Sequence, residues 1–111
     1  TRVTVKLGVA YNSDLDQTKA LLLQIADRNP RILKDPEPEV LFLNFGESTL
    51  DHELRYHVGK LGDRNPSIDE VNREIDRLFR EHNIEIAFRQ LDVYLRNSEG
   101  MEKLIESRKG V

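Results

Sequence analysis

The chain has 111 residues and a mass of 12.9 kDa, and 38% of its residues are apolar, which suits one small domain with one core. It contains no cysteine, which excludes disulfides, thiolate metal sites and a cysteine nucleophile, and its formal charge of −3 lacks the basic excess of nucleic-acid binders. No apolar run exceeds four residues, far short of the roughly 20 that span a bilayer.

A strand followed by a helix is predicted at the start of the chain. Apolar and polar residues alternate over residues 2–10, as in a strand with one face on a core. Ser13 is predicted to cap the helix with Asp16 as its capping-box partner, and Asp14 is expected to support the same helix start. The apolar stripe of this helix is Leu15, Thr18, Leu21, Leu22 and Ile25. The helix is expected to end before Pro30, because proline disfavours a helical residue in front of it.

Two strands in a hairpin are predicted next, after an irregular but ordered segment over residues 30–38 that contains three prolines. Apart from Glu39 and Asn44, residues 39–45 are apolar at both odd and even positions, so this strand is expected to be buried on both sides or used at an interface. Residues 46–48 supply the turn. Regular alternation over residues 50–58 then predicts a second, antiparallel strand with one face on the core.

A second helix and further strands complete the pattern. Ser67 is predicted to cap this helix with Glu70 as its capping-box partner, and the helix is expected to end near Asn83. Its apolar stripe is Ile68, Val71, Ile75, Leu78 and Phe79, and its outer face carries the pairs Asp69–Arg73 and Asp76–Arg80. A fourth strand is predicted at Ile84, Ile86 and Phe88, and alternation resumes at Leu91, Val93 and Leu95.

The order strand, helix, strand, strand, helix, strand is typical of ferredoxin-like domains. The predicted fold class is therefore α+β: a ferredoxin-like βαββαβ sandwich with two helices on one face of a four-stranded antiparallel sheet, plus a C-terminal extra strand. The expected spatial strand order is 4-1-3-2. The sheet face without helices is expected to be polar or to form an interface, and the apolar residues at both odd and even positions of 39–45 favour an interface there.

Catalytic and metal-binding patterns are not evident in the sequence. His52, His57 and His82 are predicted to lie on opposite strand faces and at a helix end, so they do not converge on a metal. Ser48 and Ser67 have no matching base, and both stand where turns and helix caps favour hydroxyls. We therefore predict no enzyme activity, no metal and no cofactor.

Three runs taken together, Gly8–Gln17, Arg31–Asp35 and Gln90–Val93, resemble the carboxy-terminal cytoplasmic region of bacterial small-conductance mechanosensitive channels, the MscS-type family. Supporting runs are Pro38–Phe42, Phe45-Gly46, Ile75–Glu81 and Ile84–Phe88. The likeness covers about Thr4 to Arg96. The large channels associated with potassium efflux are one subfamily that fits these runs, but the runs do not separate it from other members.

The resemblance implies a domain division. Residues 1–89 would be the ferredoxin-like cytoplasmic domain, with residues 1–10 bridging from a middle β domain that is absent from this chain. Residues 90–97 would be one strand of an oligomeric β-barrel, and residues 98–111 a flexible tail. The implied interface residues of the barrel strand are Leu91, Asp92, Val93, Tyr94, Leu95 and Arg96.

The resemblance also implies a function and partners. The parent would be a channel subunit of the bacterial inner membrane, anchored by helices that precede Thr1. Its cytoplasmic part would assemble as a homo-heptamer around a chamber through which ions and small osmolytes leave during osmotic shock. No nucleic acid is expected as a partner. The alternative is a freestanding ferredoxin-like small-molecule sensor or binding module.

Overall fold

A computed structural model describes residues 1–87 of the chain. Its elements in chain order are β1 (Arg2–Val9), α1 (Leu15–Arg28), β2 (Glu39–Phe45), β3 (Leu50–His57), a short 3-10 turn (Leu61–Asp63) and α2 (Arg64–Glu81). The strands over residues 2–10, 39–45 and 50–58 are therefore confirmed to within one residue at each end.

The strands form an antiparallel sheet in the order β1-β3-β2. Leu54, at the middle of β3, lies between Val5 of β1 and Val40 of β2. This order agrees with the 1-3-2 part of the prediction. Within residues 1–87, the predicted fourth strand is a single bridge between Val9 and Ile86 at the outer edge of β1. Phe88 and the extra strand at residues 91–95 lie outside the described residues.

One core lies between the sheet and the two helices. Alternate side chains of β3 point into it, and the predicted stripes of both helices close it, with Leu22 and Phe79 fully buried. Two stripe residues near the helix starts depart from the prediction: Leu15 is exposed and Ile68 is only partly buried. The largest fully buried side chains are Tyr56, Phe79, Leu22, Leu54, Val3, Val9, Val58 and Val71. Because buried apolar area is the main stabilising contribution in a domain of this size, this layer determines how firmly the helices are held.

The predicted capping role of Asp14 is confirmed, and the predicted capping boxes at Ser13 and Ser67 are wrong. Asp14 caps α1: its backbone is extended, and its Oδ1 accepts a hydrogen bond from the Gln17 amide at 3.0 Å. α2 begins at Arg64, three residues before Ser67, so Ser67 is in the first turn and not at the cap. Pro66 is tolerated there because first-turn amides have no intrahelical acceptor.

The expectation that residues 39–45 are buried on both sides is also wrong. β2 is an edge strand with helices over one face only, and of its residues only Val40 is fully buried. A bulge between Phe42 and Asn44 shifts the register, so that Phe45, and not Asn44, pairs with Leu50. Leu43 and Phe45 are consequently exposed. The other half of that expectation, use at an interface, stays a prediction.

Candidate interaction surface

A buried hydroxyl pair joins α2 to the centre of the sheet. The Tyr56 hydroxyl lies 2.8 Å from Ser67 Oγ, and Ser67 Oγ donates to the Arg64 carbonyl at 2.7 Å. Since the Ser67 hydrogen is used in that bond, Tyr56 is the donor in the first. Both side chains are fully buried. Ser67 therefore satisfies the tyrosine hydroxyl, and this is why a small polar residue faces the core here.

Burial raises the pKa of the Tyr56 phenol. The stability that depends on the protonated phenol is complete below the unfolded-state pKa, near 10, and is lost as the pH rises through the folded-state pKa. Above about pH 10, the free energy of unfolding of the wild-type protein should therefore fall more steeply with pH than that of Tyr56→Phe. At neutral pH, Tyr56→Phe should be about 1 kcal/mol less stable than the wild type, because it lacks the hydrogen bond to Ser67. Urea unfolding at pH 7, 9 and 10.5 measures both quantities. Leu61→Ala, at an exposed residue without a titratable group, is the control and should follow the wild-type slope. Identical slopes for wild type and Tyr56→Phe would contradict the assignment.

A polar cluster fixes the proline-rich segment to the start of α2. Arg31 Nε donates to Glu70 Oε2 at 3.1 Å, and Arg31 Nη1 lies 2.8 Å from Asp63 Oδ1. Asn29 Nδ2 also donates to Glu70. The hydrogen bonds that Arg31 donates to Glu70 and, to a smaller extent, to Asp63 raise the pKa of the Arg31 guanidinium. Glu70 is therefore not the capping partner of Ser67; its carboxylate joins two elements that are 39 residues apart in sequence.

The sheet face without helices is charged. Glu53 and Arg55 on β3 form an ion pair at 3.0 Å, and Arg55 also approaches Glu39 of β2 at 3.9 Å. Arg2 and Lys6 of β1 lie on the same face, opposite His57 and Glu53. Of the two alternatives predicted for this face, its residues fit the polar one. The outer face of α2 is also charged, and the predicted pairs Asp69–Arg73 and Asp76–Arg80 are both present.

An aromatic knob stands at the end of β2; it consists of Tyr11, Phe42 and Phe45. The Phe45 ring is 71% exposed and meets the Phe42 ring edge-on, with 4.8 Å between centroids. Phe42 stacks in turn on the buried His52 ring. Tyr11 is 49% exposed, and its hydroxyl donates to the carbonyl of Gly46, next to Phe45. Exposed aromatic clusters of this kind mark interaction sites more often than isolated exposed residues do.

A cleft opens at the other end of β2, between α1 and the proline-rich segment; we call it the α1 cleft. Its volume is about 330 Å³. It is lined by Leu23, Ala26, Asp27, Leu33, Lys34, Glu37 and Pro38. The lining is apolar except for three exposed charged residues, and Lys34 Nζ pairs with Asp27 Oδ1 at 3.0 Å. A cleft of this size and character can hold an apolar side chain beside a cation.

The histidines are separated as predicted. His52 is buried on the helix side of the sheet, with its Nδ1 at hydrogen-bond distance from the Leu50 carbonyl. His57 faces the other side of the sheet. His82 is at the end of α2, with its Nδ1 at hydrogen-bond distance from the Leu78 carbonyl. In residues 1–87, no three His, Asp or Glu side chains form a group that could hold a metal ion.

Sequence reasoning placed some of these residues and missed others. It predicted an interface on β2 but missed Tyr11 as part of it, and it missed the α1 cleft. Nothing local to Arg31 indicates Glu70 as its partner, because the two residues meet only in the folded chain. The predicted barrel-strand residues Leu91–Arg96 lie outside the described residues.

A family model described as "Mechanosensitive ion channel MscS, C-terminal" matches residues 3–86, which include all the helices and strands described above except Arg2, the first residue of β1. The chain belongs to the MscS family of mechanosensitive ion channels and corresponds to the C-terminal domain of that family. The resemblance seen in the three sequence runs is thereby confirmed.

Two relatives match nearly the whole chain. An uncharacterized MscS family protein of Haemophilus influenzae is 54% identical over 104 residues, or 94% of this chain. The mechanosensitive channel MscK of Escherichia coli is 53% identical over 102 residues, or 92% of this chain. The chain spans only 9% of the length of each of these relatives.

A solved structure shares the fold. The closed-state crystal structure of Helicobacter pylori MscS is similar with a TM-score of 0.65 over 82% of this chain and 36% of that one. The sequence identity is 24%, so this likeness concerns the fold alone. It supports the α+β assignment.

Proposed function

We propose that this domain is the cytoplasmic vestibule part of a mechanosensitive channel subunit, and that it works by assembly and not by chemistry. The observation that carries the proposal is the family match, which is continuous over residues 3–86. The high identity to MscK over almost the whole chain supports it. Membrane tension would open a pore elsewhere in the parent protein, while this domain forms part of the chamber wall through which solutes leave.

The domain has the properties that a chamber wall needs. A single core and the Arg31–Glu70 cluster hold the sheet, the proline-rich segment and α2 as one unit. The charged sheet face is stable in contact with water, because Arg55 pairs with both Glu53 and Glu39. A wall with such a face can admit ions and small osmolytes and can filter them by size and charge. Surface charges act over about 8 Å at physiological salt, so any charge filtering requires narrow openings.

Seven copies would surround the chamber. Residues 1–89 would form its wall, with residues 1–10 entering from a preceding β domain. The segment 90–97 would supply one barrel strand through Leu91–Arg96, and residues 98–111 would be a tail. A strand that pairs with identical copies in a closed ring has no open edge, which removes an aggregation hazard. Ions and small osmolytes would be the permeating species.

The parent protein would lie in the bacterial inner membrane with this domain in the cytoplasm. Neither helix within residues 1–87 is long and apolar enough to cross a bilayer. The proposal assigns the membrane helices to another part of the parent protein. This arrangement fits the small fraction of the long relatives that the chain spans.

Fractionation of the source cells tests the anchoring. An antibody to this domain should detect a band far above 12.9 kDa that stays with the membranes through a salt wash. A soluble band near 12.9 kDa would overturn the proposal and would favour the freestanding sensor. An antibody to a known soluble protein, followed in the same fractions, controls for trapped cytosol.

Deletion of residues 90–111 in the full-length protein tests the assembly role. Native mass spectrometry should show less heptamer, and patch recordings should show impaired recovery after repeated tension steps. Deletion of residues 98–111 alone is the matched control, because it leaves the proposed barrel strand intact. Unchanged heptamer yield and unchanged tension response after the longer deletion would contradict the role of the barrel strand.

A further inference from the structure

We propose that the tail at residues 98–111 docks as a helix on the α1 cleft of its own chain, where Met101, Leu104 and Ile105 cover the apolar lining. The inference goes beyond the proposed channel function, because it requires neither the heptamer nor the barrel strand. It assigns an occupant to a cleft that residues 1–87 leave open.

The α1 cleft suits the apolar face of an amphipathic helix. Its apolar lining is shared between α1 and the proline-rich segment: Leu23, Ala26, Leu33 and Pro38. Lys34 is already paired with Asp27 at 3.0 Å, so the carboxylate of Glu37 supplies the net charge of the lining. A helix with its side chains is about 10–12 Å across, so a cleft of about 330 Å³ takes side chains from one helix face while the helix lies over the mouth.

The tail carries one apolar face at helical spacing. Leu104 and Ile105 follow Met101 by three and four residues, the spacing that brings side chains to one side of a helix. Arg108 continues the same face three residues after Ile105, and Glu106 lies on the opposite, polar face. A helix this short is marginal by itself in water, so its stability requires a surface that buries the apolar face.

The charges of the two surfaces are complementary. Arg108 ends the apolar face of the tail, and Glu37 borders the apolar lining of the cleft next to Pro38. With Leu104 and Ile105 over the lining, Arg108 is placed to pair with the Glu37 carboxylate, and the existing ion pair of the cleft stays intact. An exposed ion pair contributes little free energy, so this contact sets the direction of the tail, and apolar burial provides the affinity.

The chain leaves the described residues in the direction of the cleft. The Ala10 amide donates to the Glu85 carbonyl, and the Ala87 amide donates to the Gly8 carbonyl, so residues 85–87 run antiparallel to β1 toward its start. β1 and β2 both pair antiparallel with β3, so they are parallel to each other and begin at the same end of the sheet. The cleft lies beside the start of β2.

The linker is long enough to bring the tail there. Glu39, at the start of β2, and Thr4 of β1 pair with the same residue of β3, and Thr4 is four positions from Gly8. The start of β2 is therefore about 13 Å from Ala87 along the strands and about 14 Å across them, or roughly 20 Å in all. Residues 88–100 can span about 43 Å. Covalent linkage over such a distance gives an effective concentration of about millimolar, so even weak docking is populated.

Disulfide trapping in the full-length protein tests the contact. In a cysteine-free background, the double variant Ile105→Cys with Leu33→Cys should form a disulfide within one chain, because docking brings the two Cα atoms within the roughly 7 Å that a disulfide needs. The product should keep the monomer mass on a denaturing non-reducing gel, and its thiols should no longer react with a maleimide-PEG reagent. The matched control, Glu106→Cys with Leu33→Cys, uses the opposite face of the tail and should keep its reactive thiols.

Amide hydrogen exchange follows the docking without cross-links. In the full-length wild-type protein, the amides of residues 101–108 should exchange at least about tenfold more slowly than in a free peptide of residues 98–111. Leu104→Ser should abolish this protection, because it removes apolar area from the docked face. Lys103→Ser, on the polar face, is the control and should retain it. Exchange at the free-peptide rate in the wild type would overturn the inference.

A charge exchange tests the direction of the tail. Glu37→Lys should reduce the protection of residues 101–108 by about two- to fivefold, the scale of an exposed ion pair. Adding Arg108→Glu should restore the protection, because the pair is re-formed with its charges exchanged. Adding Lys103→Glu to Glu37→Lys is the control and should not restore it. Failure of Arg108→Glu to restore the protection would show that the proposed pair is wrong.

The outcomes separate this inference from the channel proposal. If the Ile105/Leu33 double variant keeps its reactive thiols, the docking is wrong and the channel proposal stands. Covalent multimers from the same variant would show that the tail reaches another copy, and equal trapping at Glu106 would show contact without a defined face; either result would overturn the inference. A wild-type protein that does not assemble would contradict the channel proposal alone, because the thiol and exchange measurements report contacts within one chain.

Discussion

Phe79→Ala should lower the free energy of unfolding by about 3–5 kcal/mol, the range for removing a fully buried aromatic ring. Phe79 is on the inner face of α2, is fully inaccessible to solvent, and belongs to the single core cluster. The loss combines the transfer free energy of the ring with the cost of the cavity that the surrounding residues cannot fill. Because domains of this size are stabilised by about 5–15 kcal/mol in total, this one substitution should remove a large part of that stability.

The chain contains a matched control for this substitution. Phe45→Ala removes the same atoms from a ring that is 71% exposed, so it should cost no more than about 1.5 kcal/mol, the loss of its edge contact with Phe42. Urea unfolding followed by circular dichroism measures both variants. If Phe79→Ala does not fold, Phe79→Leu provides a smaller loss in the same direction. Equal destabilisation by Phe79→Ala and Phe45→Ala would contradict the burial difference.

Gly8→Ala should destabilise the domain by about 1–3 kcal/mol and should loosen residues 85–87 from the sheet. A Cβ atom at Gly8 would lie 2.8 Å from Thr49 Cβ and 3.1 Å from the Ala87 carbonyl oxygen. The distance to Thr49 Cβ is shorter than real Cβ atoms show, and the contact with the Ala87 oxygen involves backbone, which cannot move aside as a flexible side chain can. Glycine is required here because two segments approach β1 closely, not because of an unusual φ angle.

Gly62→Ala is the control, since an added Cβ there meets nothing within 4 Å. It should be neutral or slightly stabilising, because alanine restricts the unfolded chain. Chemical denaturation gives the stabilities, and amide hydrogen exchange at Ala10 and Ala87 reports the pairing, since these amides donate to Glu85 and Gly8. Wild-type stability together with wild-type exchange in Gly8→Ala would disprove the close-approach argument.

The contrast between Phe79 and Phe45 also bears on function. A surface ring that contributes little to folding can be exchanged without unfolding the domain, so a change in assembly can be assigned to the surface itself.

Local sequence patterns were sufficient for most of the scaffold. Period-two alternation indicated β1 and β3, and the stripes of α1 and α2 named residues that are indeed buried, such as Leu22 and Phe79. The resemblance of separated runs identified the family, which the match over residues 3–86 confirms. These signals are local because side-chain periodicity follows directly from backbone geometry.

The candidate surface was only partly predictable. The apolar pattern of residues 39–45 indicated an interface, but alternation cannot say which face is covered or that a bulge rotates Phe45 onto the side of Phe42. Tyr11 joins the knob through a hydrogen bond to a residue 35 positions away. The α1 cleft likewise depends on the path of the proline-rich segment, for which the sequence carries no periodic signal.

What the sequence determined by itself is the set of elements, their buried faces and the family to which the chain belongs. The tertiary structure alone decided that β2 is an edge strand, that Ser67 satisfies Tyr56 and does not cap α2, and that Glu70 binds Arg31. The physical reason is that a helix stripe or a strand face specifies only that something must cover it. Which residue meets which depends on contacts between segments far apart in the chain, and these exist only once the core has formed.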